Sequence, residues 1–153
     1  MDSWLWTFIV AAGAGLGLWV LSHIVEYLRP IPKAPSRLPW APEIPIRDIE
    51  VDGNNLRYIT SGTGPAIVLL HTLRTQLDLF EKVVPELSKC FTVYALDYPG
   101  HGYSDIPEAR YDAAFFTEAV EGFLEKLDLR DITLVGVSIG GVIPLIIAAR
   151  RTC

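Results

Sequence analysis

Residues 134–145 read LVGVSIGGVIPL, and this stretch decides the fold. At its centre, residues 136–140 match the pattern Gly-x-Ser-x-Gly. The apolar residues 132–137 predict a buried strand that ends at the pattern, and residues 139–151 predict a helix that starts there. A serine on so sharp a turn has strained backbone angles, and its small neighbours let the strand and the helix approach each other. We therefore interpret Ser138 as a nucleophile, exposed beside the N–H groups of a helix N-terminus, rather than as a helix-capping serine.

The sequence before this turn alternates between strand and helix patterns. The predicted strands are 46–51, 56–60, 66–70, 91–96 and 132–137, and the predicted helices are 76–87, 111–127 and 139–151. The first two strands form an antiparallel hairpin around a turn at 52–55. The later strands are continuous apolar runs, which are typical of strands buried on both faces of a parallel sheet. The order predicts an α/β fold with a mostly parallel sheet and helices on both faces.

The composition is that of a globular or membrane protein. Half of the 153 residues are hydrophobic, and the formal net charge is −5. We expect no nucleic-acid partner, because no basic patch is present. The two cysteines, Cys90 and Cys153, support neither a disulfide framework nor a metal site, and we expect no cofactor.

The N-terminal segment predicts a membrane span. Residues 4–25 contain no Asp, Glu, Lys or Arg. This uncharged segment is long enough for a helix across a hydrocarbon core, so we assign residues 1–28 as a membrane anchor in the lipid bilayer. A cleaved signal peptide is the alternative, but no basic residue precedes the apolar run, and the run exceeds a normal signal h-region. Gly13 and Gly17 have the spacing of a helix-dimer contact. His23 lies near the end of the span and is expected at the interface.

The segment after the span indicates an orientation and a spacer. Arg29, Lys33 and Arg37 follow the apolar run, so we expect the following domain to face the cytoplasm. Six prolines fall between positions 30 and 45, which predicts an extended linker over 29–45. The alternative is that Trp40 and Ile44 fold back on the domain as an ordered N-terminal arm.

Three motifs in this order resemble the first part of an α/β-hydrolase of the serine-nucleophile branch. They are LLHTLR at 69–74, DYPGHGYS at 97–104, which is similar to the family's D-x-x-G-x-G-x-S turn, and the nucleophile elbow at 136–140. The resemblance covers residues 46–151. We therefore assign 46–153 as the N-terminal part of an α/β-hydrolase domain.

The resemblance implies roles for individual residues. Ser138 is the nucleophile, held between the elbow glycines Gly136 and Gly140, and the backbone N–H of Ile139 is one oxyanion donor. The Leu73 N–H matches the second donor, although the family commonly has His-Gly where this sequence has His71-Thr72. Since relatives with an aspartate nucleophile, such as epoxide hydrolases and haloalkane dehalogenases, carry Asp at the elbow, the serine favours ester, thioester or related acyl chemistry.

The other polar residues of these motifs are expected to be structural. In the family's chain order the triad acid and histidine follow the serine, so His71 and His101 are interpreted as supports of their loops. Asp97 and Asp105 are interpreted as loop-capping carboxylates. Pro144 falls inside the helix after the elbow, where it removes one backbone hydrogen bond and predicts a kink.

The triad acid and histidine would lie beyond position 153, which predicts a fragment or the product of a truncated gene. The leading hypothesis is a membrane-anchored serine hydrolase, of the serine esterase type, acting on an ester-like or other acyl bond of a small molecule. Acyl transfer, C–C hydrolysis and cofactor-free peroxidation are alternatives within the fold. A catalytically inactive remnant or a membrane-tethered interaction module is the alternative from another class. Reading the DNA downstream of codon 153 separates the enzyme from the remnant.

Overall fold

A computed structural model of the chain describes residues 3–30 and 33–152, and its contacts divide into two compact units, Met1–Ala34 and Pro35–Cys153. The first unit contains helix α1 (Ser3–Leu28). Its stretch Trp4–Leu28 has a mean hydropathy of 2.0 and is not buried against the protein. At 1.5 Å per residue, its 26 residues extend about 39 Å. This helix is long and apolar enough to cross a membrane.

The second unit is built on a five-stranded sheet with the spatial order β1-β2-β4-β3-β5. The strands are β1 (Ile46–Val51), β2 (Asn54–Ser61), β3 (Ala66–Leu70), β4 (Thr92–Leu96) and β5 (Thr133–Gly136). β1 and β2 form the predicted antiparallel hairpin, and β2 also runs antiparallel to β4. β3 is parallel to both β4 and β5. The predicted fold class is confirmed.

Helices cover both faces of this sheet, as the apolar strand runs predict. On one face, α3 (Ala113–Lys126) and α4 (Ile139–Thr152) pack through Phe116, Phe123 and Ile143 against the sheet. On the other face, a second cluster is formed around Leu77, Phe80 and Val84 with side chains of β3 and β4. A strand that is covered on both sides has no polar face, which is why the central strands β3 and β4 are nearly continuous apolar runs, whereas the edge strand β1 alternates with polar residues.

The single helix predicted over 76–87 is wrong. The structure has a 3₁₀ helix, Leu77–Phe80, followed by the one-turn helix α2 (Val84–Leu87). Pro85 lies in the first turn of α2, where its missing N–H breaks the hydrogen-bond ladder of a continuous helix. The Leu77 N–H, at the start of the 3₁₀ helix, donates to Asp97 Oδ1 at 2.6 Å.

The second half of the proline-rich segment packs on the domain. Leu38, Ala41 and Ile44 are buried in the second cluster, and the Trp40 indole N–H donates to Asp78 Oδ1 at 2.6 Å. We call residues 38–44 the proline arm. The compact unit thus starts at Pro35, inside the segment expected as a linker, because the apolar residues between the prolines find a buried site.

β5 lies at the end of the sheet and pairs with β3 alone among the described strands. Val135 and Val137 are exposed there, and Leu145 of α4 is 71% exposed. Helix α4 continues through Pro144 as one element. An apolar edge of this kind offers unpaired backbone groups and bare side chains to any neighbouring chain.

Candidate active site

The turn between β5 and α4 has the geometry of a nucleophile elbow. Ser138 lies on it in the left-handed region, with φ +57°, and is exposed. A Cβ added at Gly136 would overlap the carbonyl oxygen of Gly140, and one added at Gly140 would overlap that of Leu70. Both positions therefore require glycine, because any side chain would force the strand and the helix apart.

The N–H groups predicted as oxyanion donors have no hydrogen-bond partner in the described part of the chain. Ile139 is the first residue of α4, where N–H groups lack helical partners. Leu73 lies in the loop after β3, and its N–H also donates to none of the described residues. The elbow sits against the start of that loop, because the Val137 N–H donates to Leu70 O at 3.1 Å. Both N–H groups thus lie in adjacent segments and bond to no described residue, as the predicted donor role requires.

His71 is buried and uses both ring nitrogens inside the fold. Its Nε2 accepts the Tyr98 N–H at 3.1 Å, which assigns the proton to Nδ1, and Nδ1 donates to Thr72 O at 2.7 Å. Burial lowers the pKa of His71 to about 4, so the ring is neutral at pH 7. A ring in this state supports the loop and is a poor proton acceptor.

The threonine after His71 is accommodated without strain. Thr72 is not in the left-handed region, where glycine would be required; that conformation occurs at Arg74, with φ +61°. The Thr72 carbonyl also accepts a hydrogen bond from the Thr75 hydroxyl at 2.8 Å. The loop after β3 therefore keeps its internal hydrogen bonds although Thr72 stands where the family commonly has glycine.

The remaining polar residues of the motifs contact backbone groups. His101 Nδ1 lies 3.1 Å from Pro99 O, and Asp105 Oδ2 accepts the Asn55 N–H at 2.8 Å. Asp97 accepts the N–H groups of Leu77 and Tyr103. Asp97 and Asp105 thus bond backbone N–H groups, but only the Tyr103 N–H belongs to their own loop, and the Leu77 and Asn55 N–H groups come from distant segments. The Ser138 hydroxyl itself makes no hydrogen bond with any described residue.

Arg57 is a buried polar residue that the sequence analysis did not single out. It lies on β2, is 1% exposed, and forms an ion pair with Asp97 through Nη1 at 3.1 Å. An arginine inside a run with Leu56, Tyr58 and Ile59 is a signal for a buried pair, since buried charges require partners. Within residues 3–30 and 33–152, no group of three His, Cys, Asp or Glu side chains is placed to hold a metal ion.

Comparison with known proteins places this geometry in a family context. A family model described as "alpha/beta hydrolase fold" matches residues 65–152. The 2-(acetamidomethylene)succinate hydrolase of Mesorhizobium japonicum is 32% identical over 94 residues, covering 61% of this chain and 34% of that protein. The haloalkane dehalogenase of the same species is 29% identical over 124 residues, covering 80% of this chain and 37% of that protein.

A solved structure extends the similarity to the N-terminal region. The crystal structure of a membrane phospholipase A, a bacterial virulence factor, superposes with a TM-score of 0.70 at 27% identity. The match covers 99% of this chain, and therefore includes α1. It covers 49% of the phospholipase chain. By contrast, the chain spans only about a third to a half of the length of the curated relatives that it matches.

Proposed function

The chain belongs to the α/β-hydrolase fold family, and on that premise we propose that it supplies the nucleophile of a membrane-anchored serine hydrolase. The observation that carries this proposal is Ser138 itself, exposed on a left-handed turn next to the unpartnered Ile139 N–H. A serine in the left-handed region costs conformational free energy, and residues strained in this way cluster at functional sites. The substrate class is an ester or another small acyl compound.

In the proposed reaction, Ser138 Oγ attacks the acyl carbon while its proton passes to a histidine base. The carbonyl electron pair moves onto oxygen, and the resulting oxyanion accepts hydrogen bonds from the N–H groups of Ile139 and Leu73. Collapse of this intermediate expels the leaving group, which takes the proton from the histidine. Water then attacks the acyl-serine and releases the acid and the free hydroxyl.

The serine at the elbow also argues against cleavage of carbon–halogen bonds, although one relative is a haloalkane dehalogenase. Attack by a serine hydroxyl on an alkyl carbon leaves an ether, which water does not hydrolyse under these conditions. Attack on an acyl carbon leaves an ester, which water does hydrolyse. A serine nucleophile at position 138 is therefore suited to acyl substrates. Acyl transfer and C–C hydrolysis are compatible with it for the same reason, since both can pass through an acyl-serine.

We expect a fluorophosphonate probe to label the full-length gene product covalently at Ser138. The probe needs an activated serine and mimics the oxyanion that the two N–H groups would bind. Intact-protein mass and peptide mapping measure the adduct, with Ser138→Ala as the variant and Ser36→Ala, at an exposed position, as a matched serine control. Undiminished labelling of Ser138→Ala would disprove the assignment. A stop codon confirmed directly after codon 153, together with no labelling, would instead support the inactive remnant.

We further propose that α1 anchors the protein in a lipid bilayer. Its length and hydropathy suit a single span, and the match to a membrane phospholipase A includes this helix. Arg29, Lys33 and Arg37 follow the span and favour a cytoplasmic domain. Gly13 and Gly17 lie one turn apart with open space where a Cβ would be, which suits contact with a second helix.

Deletion of residues 1–28 is expected to move the full-length product from the membrane to the soluble fraction. The intact mass of the membrane-bound protein should include the N-terminal segment, whereas a signal peptide would be missing. A Ser36→Cys variant, with Cys90 and Cys153 replaced by serine, should resist an impermeant thiol reagent in intact cells. A Ser3→Cys variant serves as the outside control. Labelling at position 36 alone would reverse the proposed orientation.

A further inference from the structure

The loop that carries the Leu73 N–H is held at both ends by two consecutive residues after β4. At its start, His71 Nε2 accepts the Tyr98 N–H, and at its end the Leu77 N–H donates to Asp97 Oδ1. We propose that Arg57 and Asp97 are positioning residues that set this loop for oxyanion binding, and that Trp40 and Asp78 extend the network into the proline arm. This inference rests on the acyl chemistry proposed for Ser138.

Asp97 is the centre of the network. Its Oδ1 accepts the Leu77 N–H, while its Oδ2 accepts Arg57 Nη1 and the Tyr103 N–H, both at 3.1 Å. Burial raises the pKa of Asp97, whereas the Leu77 N–H and the Arg57 guanidinium act in the opposite direction. All three partners are donors, so the arrangement requires the ionised carboxylate. Because Arg57 fixes the orientation of this carboxylate, it also fixes where the Leu77 N–H is held.

Arg57 is bonded in a way that stability alone does not explain. Its Nε and Nη2 are buried and make no hydrogen bond with the described residues. Its charge is compensated by Asp97 and, at 3.8 Å, by Asp78 Oδ2, and the guanidinium lies 4.8 Å from the centre of the Tyr103 ring. Burying a partly bonded cation costs free energy that an apolar side chain of similar volume would not. The directional bond to Asp97 is what an apolar residue could not supply.

The proline arm joins the same network at the end of the loop. Asp78 lies in the 3₁₀ helix directly after the loop, and its Oδ1 accepts the Trp40 indole N–H at 2.6 Å. Its other oxygen faces Arg57. Residues on both sides of Trp40, Leu38 and Ala41, are buried, so the indole is held by a packed segment. A continuous set of contacts therefore runs from the proline arm to the segment that carries the proposed oxyanion donor.

The test uses the full-length gene product and the rate of fluorophosphonate labelling at Ser138. Asp97→Asn keeps the shape of the side chain but places an NH₂ group against a donor, so we expect labelling about 10- to 100-fold slower. Trp40→Phe keeps an aromatic side chain but removes the indole donor and part of the ring, and we expect a loss of about threefold to tenfold. Asp128→Asn is the matched control and should label at the wild-type rate, because Asp128 is exposed and its side chain pairs with Arg130 alone among the described residues.

A second measurement separates positioning from a general loss of stability. An ester and its thionoester are compared, because the C=S sulfur accepts hydrogen bonds poorly and gains little from oxyanion donors. A misplaced donor lowers the ester rate more than the thionoester rate, whereas partial unfolding lowers both equally. An unchanged ester-to-thionoester ratio in Trp40→Phe and in folded Asp97→Asn would overturn the proposal. If Asp97→Asn does not fold, the ester-to-thionoester ratio of Trp40→Phe alone tests the proposal.

Failure of the proposed chemistry is recognised separately, since wild type would then show no labelling at Ser138. In that case amide hydrogen exchange across residues 72–77 still tests the network. Faster exchange in Trp40→Phe than in wild type and Asp128→Asn supports positioning of the loop, and equal exchange contradicts it.

Discussion

Replacing Gly140 with valine is expected to abolish covalent labelling at Ser138 in a protein that still contains the serine. An added Cβ at position 140 would overlap the carbonyl oxygen of Leu70 and approach that of His71, and both are backbone atoms that cannot rotate away. The branched side chain must push α4 off the end of β3, which displaces Ser138 and the Ile139 N–H together. Displacements of about 1 Å at a reacting group typically cost about 100-fold in rate.

Gly141→Ala is the matched control for this prediction. An added Cβ at Gly141 would lie 3.4 Å from the Gly136 carbonyl oxygen, which is ordinary contact, so labelling should persist. Circular dichroism and the thermal unfolding transition show whether Gly140→Val is folded. A folded Gly140→Val protein that labels at the wild-type rate would contradict the elbow geometry.

The polypeptide of residues 1–153 alone is expected to hydrolyse no model ester above background. Its Ser138 hydroxyl bonds to none of the described residues, and both ring nitrogens of His71 are already engaged. A serine without a base and an orienting acid loses about four to six orders of magnitude in rate. The purified polypeptide in detergent should therefore turn over a p-nitrophenyl ester no faster than its Ser138→Ala variant.

His101 is the residue that would change this outcome. Its ring is only partly buried, with Nδ1 near Pro99 O and a centroid 5.4 Å from that of His71. Serine-dependent turnover that disappears in a His101→Ala variant would identify it as the base. Its assignment as a loop support would then have to be withdrawn.

The strands and the elbow could be predicted because local pattern and tertiary structure agree there. The apolar runs at 66–70 and 92–96 are largely buried, and glycine is required at 136 and 140 by the close approach of the strand, the helix and the end of β3. The prediction failed at 76–87, where Leu77, Phe80 and Val84 are buried at helical spacing but Pro85 interrupts the hydrogen-bond ladder. Periodicity reports which face is buried and carries no information on a distant hydrogen-bond partner.

The supporting network of the candidate site was missed for the same reason. Arg57 precedes Asp97 by forty positions, and Trp40 precedes Asp78 by thirty-eight, so neither pair leaves a local pattern. Ser138, Ile139 and Leu73 could be proposed from the sequence because a motif fixes their spacing to nearby glycines or to the end of a strand. Partners from separate strands become neighbours only through the sheet order, which places β2 beside β4.

The buried proline arm also sets where a soluble version of this domain has to begin. A polypeptide starting at Ile46 would leave bare the surface that Leu38, Ala41 and Ile44 cover in the second cluster. Each large apolar side chain of this kind contributes about 1.5–3 kcal/mol when it is buried, so the omission would remove a sizeable part of a typical domain's stability. Expression from Pro35, where the compact unit starts, keeps these side chains in place without the apolar helix.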